Sequence, residues 1–122
     1  MSDVRIDASL AGLPRIYLRP CLLLLLAEGR SHGYDLLDQI ESLGLTGVDA
    51  GGLYRTLRGM ERESLLRSWW EPSQTGPARR TYELTDLGVE RLRSSMHATG
   101  ATYHLLGALL ARYEHAAAEA NQ

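Results

Sequence analysis

The chain has 122 residues, 44% of them hydrophobic, with a formal net charge of −2; that length holds one domain with a modest core, and the apolar content excludes wholesale disorder. Cys21 is the only cysteine, which excludes an internal disulfide framework and a cysteine-based zinc site within one chain. The net charge is not that of a nucleic-acid binder, but it is an average: between Gly52 and Arg80 six arginines stand against three acids.

Residues 1–13 carry no sustained period and are assigned to a flexible N-terminal arm, with a short extra helix as the alternative. They carry acids and no long apolar stretch, so they do not read as a signal peptide, and a cytoplasmic protein is expected. Pro20 is placed to open the first helix, where its missing N–H costs nothing. Cys21–Ala27 is apolar nearly all round, as a central buried helix is, and Cys21 reads as an inert buried thiol. The run Leu22–Ala27 is too short to span a bilayer. Ser31 is expected to cap a second helix from His32 to about Leu43, with Asp35 in its first turn and Tyr34, Leu36, Leu37 and Ile40 on its buried side. Gly44 stops that helix, and Leu45–Val48 connects it to the next.

The stretch Asp49–Ser64 sorts into two helical faces. Leu53, Leu57 and Met60 fall on one narrow stripe, and Arg55, Arg58 and Arg62 on the opposite side, with Gly51 and Gly59 beside them. Asp49 is placed to cap the N-terminus. Such a helix buries one side and offers a cationic, sterically open ridge that fits the major groove of DNA; the alternative is an ordinary solvated face with i,i+3 pairs such as Arg58–Glu61. Helix, helix, short link and amphipathic helix is the order of a helix-turn-helix.

After Leu65 the period changes. Leu66–Glu71 and Arg80–Leu84 read as short strands, joined by a long polar tip, Pro72–Arg79. A helix-turn-helix followed by such a basic hairpin is a winged helix. Trp69 and Trp70 cannot both be core, because successive strand residues face opposite ways. Arg79, nearer the tip, is expected to be the stronger DNA contact, and Arg80 to pair with an acid such as Glu71 or Glu83. Thr85 and Asp86 open a last helix. There Leu92, Met96, Thr99, Tyr103, Leu106, Leu110, Tyr113 and Ala117 alternate four and three apart, an a/d seam with nothing in the rest of the chain long enough to cover it. A second copy of the chain is the simplest partner.

Other constellations yield less. His97 and His104 lie about 10 Å apart on one helix, so they cannot share an ion within a chain and read as solvated histidines. Ser31, His32 and Asp35 have no oxyanion site or shaped pocket nearby, so enzyme function is not expected. Neither a metal nor a cofactor is called for.

The sequence resembles the PadR family of bacterial transcriptional repressors from about Leu13 to Leu92. The matching residues are Leu18-Arg-Pro-Cys-Leu-Leu-Leu-Leu-Leu26, His32-Gly-Tyr34, Gly52-Leu-Tyr-Arg-Thr-Leu57, Glu63-Ser-Leu65 and, most specifically, Gly76-Pro-Ala-Arg-Arg-Thr-Tyr-Glu-Leu-Thr85 with Gly88. Within the family it is similar to members described as poly-β-hydroxybutyrate-responsive repressors. Ser64 departs from the pattern, since the family usually ends the recognition helix on a glycine; the departure bears on how that helix stops, not on the fold. The resemblance implies a winged-helix homodimer on a palindromic operator, with small-molecule effectors, phenolic acids and cationic drugs among them, for some members.

The expected protein is therefore mostly α with a small β-hairpin wing: a winged helix-turn-helix over residues 14–85 and a long C-terminal dimerisation helix over 86–122. Its expected function is sequence-specific, operator-binding repression, released by an effector. The alternative is a winged-helix protein-interaction module whose arginines meet an acidic protein surface. The residues expected at double-stranded DNA are Ser31, His32, Tyr34, Gly52, Tyr54, Arg55, Arg58, Arg62, Arg79 and Arg80. Among them Arg55 and Arg58 are expected to read bases or adjacent phosphates, while Tyr34 and Tyr54 position the backbone. Leu92, Met96, Thr99, Tyr103, Leu106, Leu110 and Tyr113 are expected at the dimer seam. Trp69, Trp70 and Tyr103 are candidates either for an effector site between subunits or for plain interface packing.

Overall fold

The computed structural model describes residues 12–121, so the expected arm lies outside the described residues except for Gly12 and Leu13. After a single 3-10 turn, Arg15–Tyr17, the chain forms α1 (Leu18–Glu28), β1 (Ser31–His32), α2 (Gly33–Ser42), α3 (Ala50–Arg62), β2 (Leu66–Ser73), β3 (Gly76–Leu84) and α4 (Asp86–Ala120). This is the mostly helical winged fold that the sequence predicts.

Three helices and the base of the wing close one core. α1 gives Leu22, Leu23 and Leu26, α2 gives Leu36 and Ile40, and α3 gives Leu53, Leu57 and Met60. Leu65, Leu66 and Tyr82 seal the core from the hairpin side. Cys21 is buried in the same cluster, and burial pushes its thiol pKa up, away from the reactive thiolate.

Several local expectations are corrected. α1 begins two residues before Pro20, which sits inside the first turn; its missing N–H is still harmless there, because the first turn has no intrahelical acceptors for its N–H groups. Ser31 does not cap α2. It lies in β1, paired with Tyr82 while His32 pairs with Thr81, and His32 occupies the cap position without a side-chain cap bond. Tyr34 is not on the buried side of α2 but 78% exposed. The hairpin has no long tip, because both strands run on to a two-residue turn at Gln74 and Thr75. The sheet order is β1-β3-β2, antiparallel throughout, and the β2–β3 register slips between Glu71 and Ser73, at Pro72, which has no N–H to give to the ladder.

The junction between α3 and α4 is tightly built. Ser64 takes the left-handed backbone conformation (φ 64°) at the end of α3. Its N–H donates to the Glu61 carbonyl and that of Leu65 to the Met60 carbonyl, which is the paired-bond stop of a Schellman motif formed with serine in glycine's place. The Thr85 hydroxyl donates to the Ser64 carbonyl and accepts from the Gly88 N–H, so α4 is capped and hooked to the end of α3 by one side chain. Gly88 is required there, since a Cβ would come within 2.2 Å of the Leu65 carbonyl oxygen.

α4 then leaves the domain. Gly88 is its one buried residue and Leu92 packs against the core, but Tyr103, Leu106, Leu110 and Tyr113 are 54–73% exposed. Leu105 and Leu109 widen this apolar stripe beyond the predicted seam. Among the described residues no helix is long and apolar enough to cross a membrane, and no cluster of His, Cys, Asp or Glu is arranged to hold a metal.

Candidate nucleic-acid interface

α3 is built as its two-faced sequence requires. Asp49 caps it by accepting from the Gly52 N–H at 2.7 Å. Leu53, Leu57 and Met60 are fully buried, whereas Arg55, Arg58 and Arg62 lie exposed on the far side, without an ion-pair partner among the described residues. A row of unneutralised guanidinium groups on a rigid, fully packed helix is a cationic edge held ready for an anionic partner.

On one side of this ridge lies a cleft of about 800 Å³, walled by the start of α2, by α3 and by the hairpin. His32, Tyr34, Tyr54, Arg58, Arg79 and Arg80 all line it, so six of the residues expected at DNA converge there. Gly33 makes this possible: a Cβ on it would lie 2.6 Å from the Tyr54 ring, so only glycine lets Tyr54 lie against the start of α2. The Nδ1 of His32 hydrogen-bonds with the buried Thr81 hydroxyl at 3.1 Å, which ties β1 to β3 and fixes the imidazole at the rim. Tyr82 forms the floor, and burial raises its phenol pKa, keeping it neutral.

Arg80 is held differently from the expectation. Glu83 is taken by Arg67 at 2.7 Å, and Glu71 accepts from the Trp69 indole N–H at 3.2 Å. Arg80 reaches back to α3 instead: its Nε donates to the Ser68 hydroxyl at 2.9 Å, Ser68 donates to Glu61, and an Arg80 Nη2 lies 3.9 Å from Glu61. The guanidinium also lies 5.3 Å from the Trp70 ring centroid, within cation–π range. Arg80 thus clamps wing to recognition helix, whereas Arg79 stays exposed and without an ion-pair partner among the described residues.

Gly52, Arg55 and Arg62 border a second cleft, on the other side of the ridge, while Ser31 lines neither. The aromatic candidates do not come together within one chain. Trp70 opens into the first cleft, Trp69 is half-buried, and Tyr103 lies on α4 with its ring edge-on to His104. The roles of Glu61, Ser68 and Gly33 were not legible, because they arise from contacts across elements, for which helical or strand periodicity carries no signal; Gly33 stood in the matching His32-Gly-Tyr34 stretch without a role. Arg15 and Arg19 were also missed, although their four-residue spacing just before the leucine run places both on one side of a helical start.

A winged helix with a free arginine ridge on its third helix defines a DNA-binding regulator. The model of the transcriptional regulator PadR-like family matches residues 22–94, and the chain belongs to that family, whose members are regulators and not enzymes. A PadR-like transcriptional regulator from Bacillus cereus is 29% identical, with a TM-score of 0.71 over 79% of this chain and 93% of that one. A PadR family regulator from Eggerthella lenta is also 29% identical, with a TM-score of 0.68 over 79% and 83% of the two chains. Bacillus subtilis PadR, whose crystal structure is of a complex with operator DNA, is 25% identical, with a TM-score of 0.61 over 68% of this chain and 48% of its own. None of the curated proteins is significantly similar to the chain.

Proposed function

We propose that this regulator is a repressor that binds an inverted-repeat operator as a homodimer, with residues 14–85 of each copy on one half-site and residues 86–122 joining the copies. The observation that carries the reading is the ridge of Arg55, Arg58 and Arg62, exposed on α3 and without an ion-pair partner among the described residues, beside the cleft that holds Tyr34 and Arg79. A helix about 10–12 Å across enters a major groove about 12 Å wide, so Arg55 and Arg58 reach base edges while Tyr34, Tyr54 and Arg79 follow the backbone. Gly52 lets the start of α3 approach the groove, His32 holds the rim, and Ser31 supports it through the β1–β3 pairing. Dimerisation is supported by the exposed apolar stripe of α4, which no element among the described residues covers. Release by a small molecule belongs to the same proposal. Of its three candidate residues Trp70 lines the first cleft, whereas Trp69 and Tyr103 line neither of the two clefts described.

The test is selection of duplexes from a random library with the intact protein, followed by binding over a salt series. Enrichment of an inverted repeat, with affinity falling steeply as salt rises, is the expected result. A protein-interaction module would enrich no sequence.

A further inference from the structure

We infer that the recognition helix has a second phosphate-binding wall: the cleft between α3 and the Arg15–Tyr17 turn takes the backbone of the operator strand opposite the one that meets α2 and the wing. This rests on the DNA-binding reading above and adds which strand each side of α3 contacts.

The second cleft, about 480 Å³, is lined by Arg15, Arg19, Arg55 and Arg62, with Asp49 the one acid among its lining residues. Asp49 already accepts the Gly52 N–H as helix cap, and Glu63, just outside, is paired with Arg19, whose guanidinium holds the Glu63 carboxyl below the usual carboxylate range. Four guanidinium groups against two carboxylates leave a surplus of two positive charges on this wall. Arg55 and Arg62 have no ion-pair partner among the described residues. An Arg15 Nη2 donates to the Gly47 carbonyl at 2.8 Å, a bond that fixes the side chain without neutralising it.

These contacts also set the wall's position. The Arg15–Gly47 bond ties the N-terminal turn to the loop that enters α3, and the Arg19–Glu63 pair ties the start of α1 to the end of α3. At Gly59 a Cβ would lie 3.3 Å from an Arg19 Nη2, so the glycine lets the Arg19 guanidinium lie close against the helix, whereas Arg62, at 3.9 Å, would meet it only in ordinary contact. A helix that fills the major groove has a phosphate strand on each side. Here each side of α3 carries its own cationic cleft, with uncompensated arginine on both.

The inference is tested on the intact protein with a duplex enriched as above, by ethylation interference and by salt-dependent binding. Wild type should show interfering phosphates on both strands of each half-site. Arg15→Ala should erase those on one strand, and Tyr34→Ala those on the other. Arg15→Ala and Arg62→Ala should each reduce the slope of log K against log salt by about 0.9. Arg15→Lys keeps the charge, so it should recover the slope even where the bond to Gly47 is weakened. Wild-type slopes for Arg15→Ala and Arg62→Ala, or loss of signals on the Tyr34 strand, would overturn the second wall. If that happens while Arg58→Ala still weakens binding, the functional reading stands and this inference alone fails. If the intact protein enriches no duplex, both fall.

Discussion

Helices α3 and α4 present opposite surfaces. α3 turns Leu53, Leu57 and Met60 into the core and leaves its arginines outside. α4 turns only a glycine fully inward and leaves Tyr103, Leu106, Leu110 and Tyr113 in solvent. A large apolar side chain gains about 1.5–3 kcal/mol when fully buried, and α3 collects that gain within one chain while α4 does not. α3 is thus complete within one chain, and in the proposed dimer the exposed stripe of α4 is half of an interface. Ser64, Thr85 and Gly88 join the two helices, so in the proposed dimer the separation of the α4 helices sets that of the α3 ridges.

This contrast can be broken most severely at α4. Leu106→Asp with Leu110→Asp should abolish the dimer in sedimentation and weaken binding to an inverted repeat on the order of 10²–10⁴-fold, the range lost when two linked sites become one. Unfolding of the isolated chain should change little, because both residues are exposed within it. The converse change is Leu57→Ala, which should lower stability by about 2–5 kcal/mol in urea unfolding. An equal loss from Leu106→Ala in dilute, monomeric protein would erase the distinction.

Smaller effects sharpen it. Arg58→Ala should cost about 1–3 kcal/mol on the selected operator and relax preference at one base position. Unchanged affinity at fixed salt would remove α3 from the major groove. Arg79→Ala should weaken all duplexes alike and flatten the salt slope by about 0.9. Arg80→Ala should change the slope less, because that arginine is engaged with Ser68, Glu61 and Trp70. Ser64→Gly, at a left-handed position, should raise the unfolding free energy by about 0.5–1 kcal/mol, leaving operator contacts intact.

The parts legible in the sequence are those governed by local rules. The two faces of α3, the Asp49 cap and the Thr85 start of α4 follow from helical period and capping chemistry, and the structure has each of them; of the expected seam Tyr103, Leu106, Leu110 and Tyr113 are exposed, whereas Leu92 packs against the core of its own chain. Long-range pairing was not legible. Two residues, Ser31 and His32, carry no strand period; they form β1 only because β3, some fifty positions away in sequence, offers an edge. The strands ran longer than predicted because Pro72 and Gly76, which read as loop punctuation, are absorbed by a register slip and by the strand's end. The partner of Arg80 depended on which acids other residues had already engaged, and only the folded arrangement decides that.

The central claim, that α3 reads DNA while α4 couples two copies, is tested most directly by sedimentation of the intact protein with two duplexes, one carrying the selected inverted repeat and one carrying a single half-site. Two chains on the inverted repeat, and at least about 100-fold weaker binding to the single half-site, is the expected result. One chain per duplex, with equal affinity for both, would contradict it.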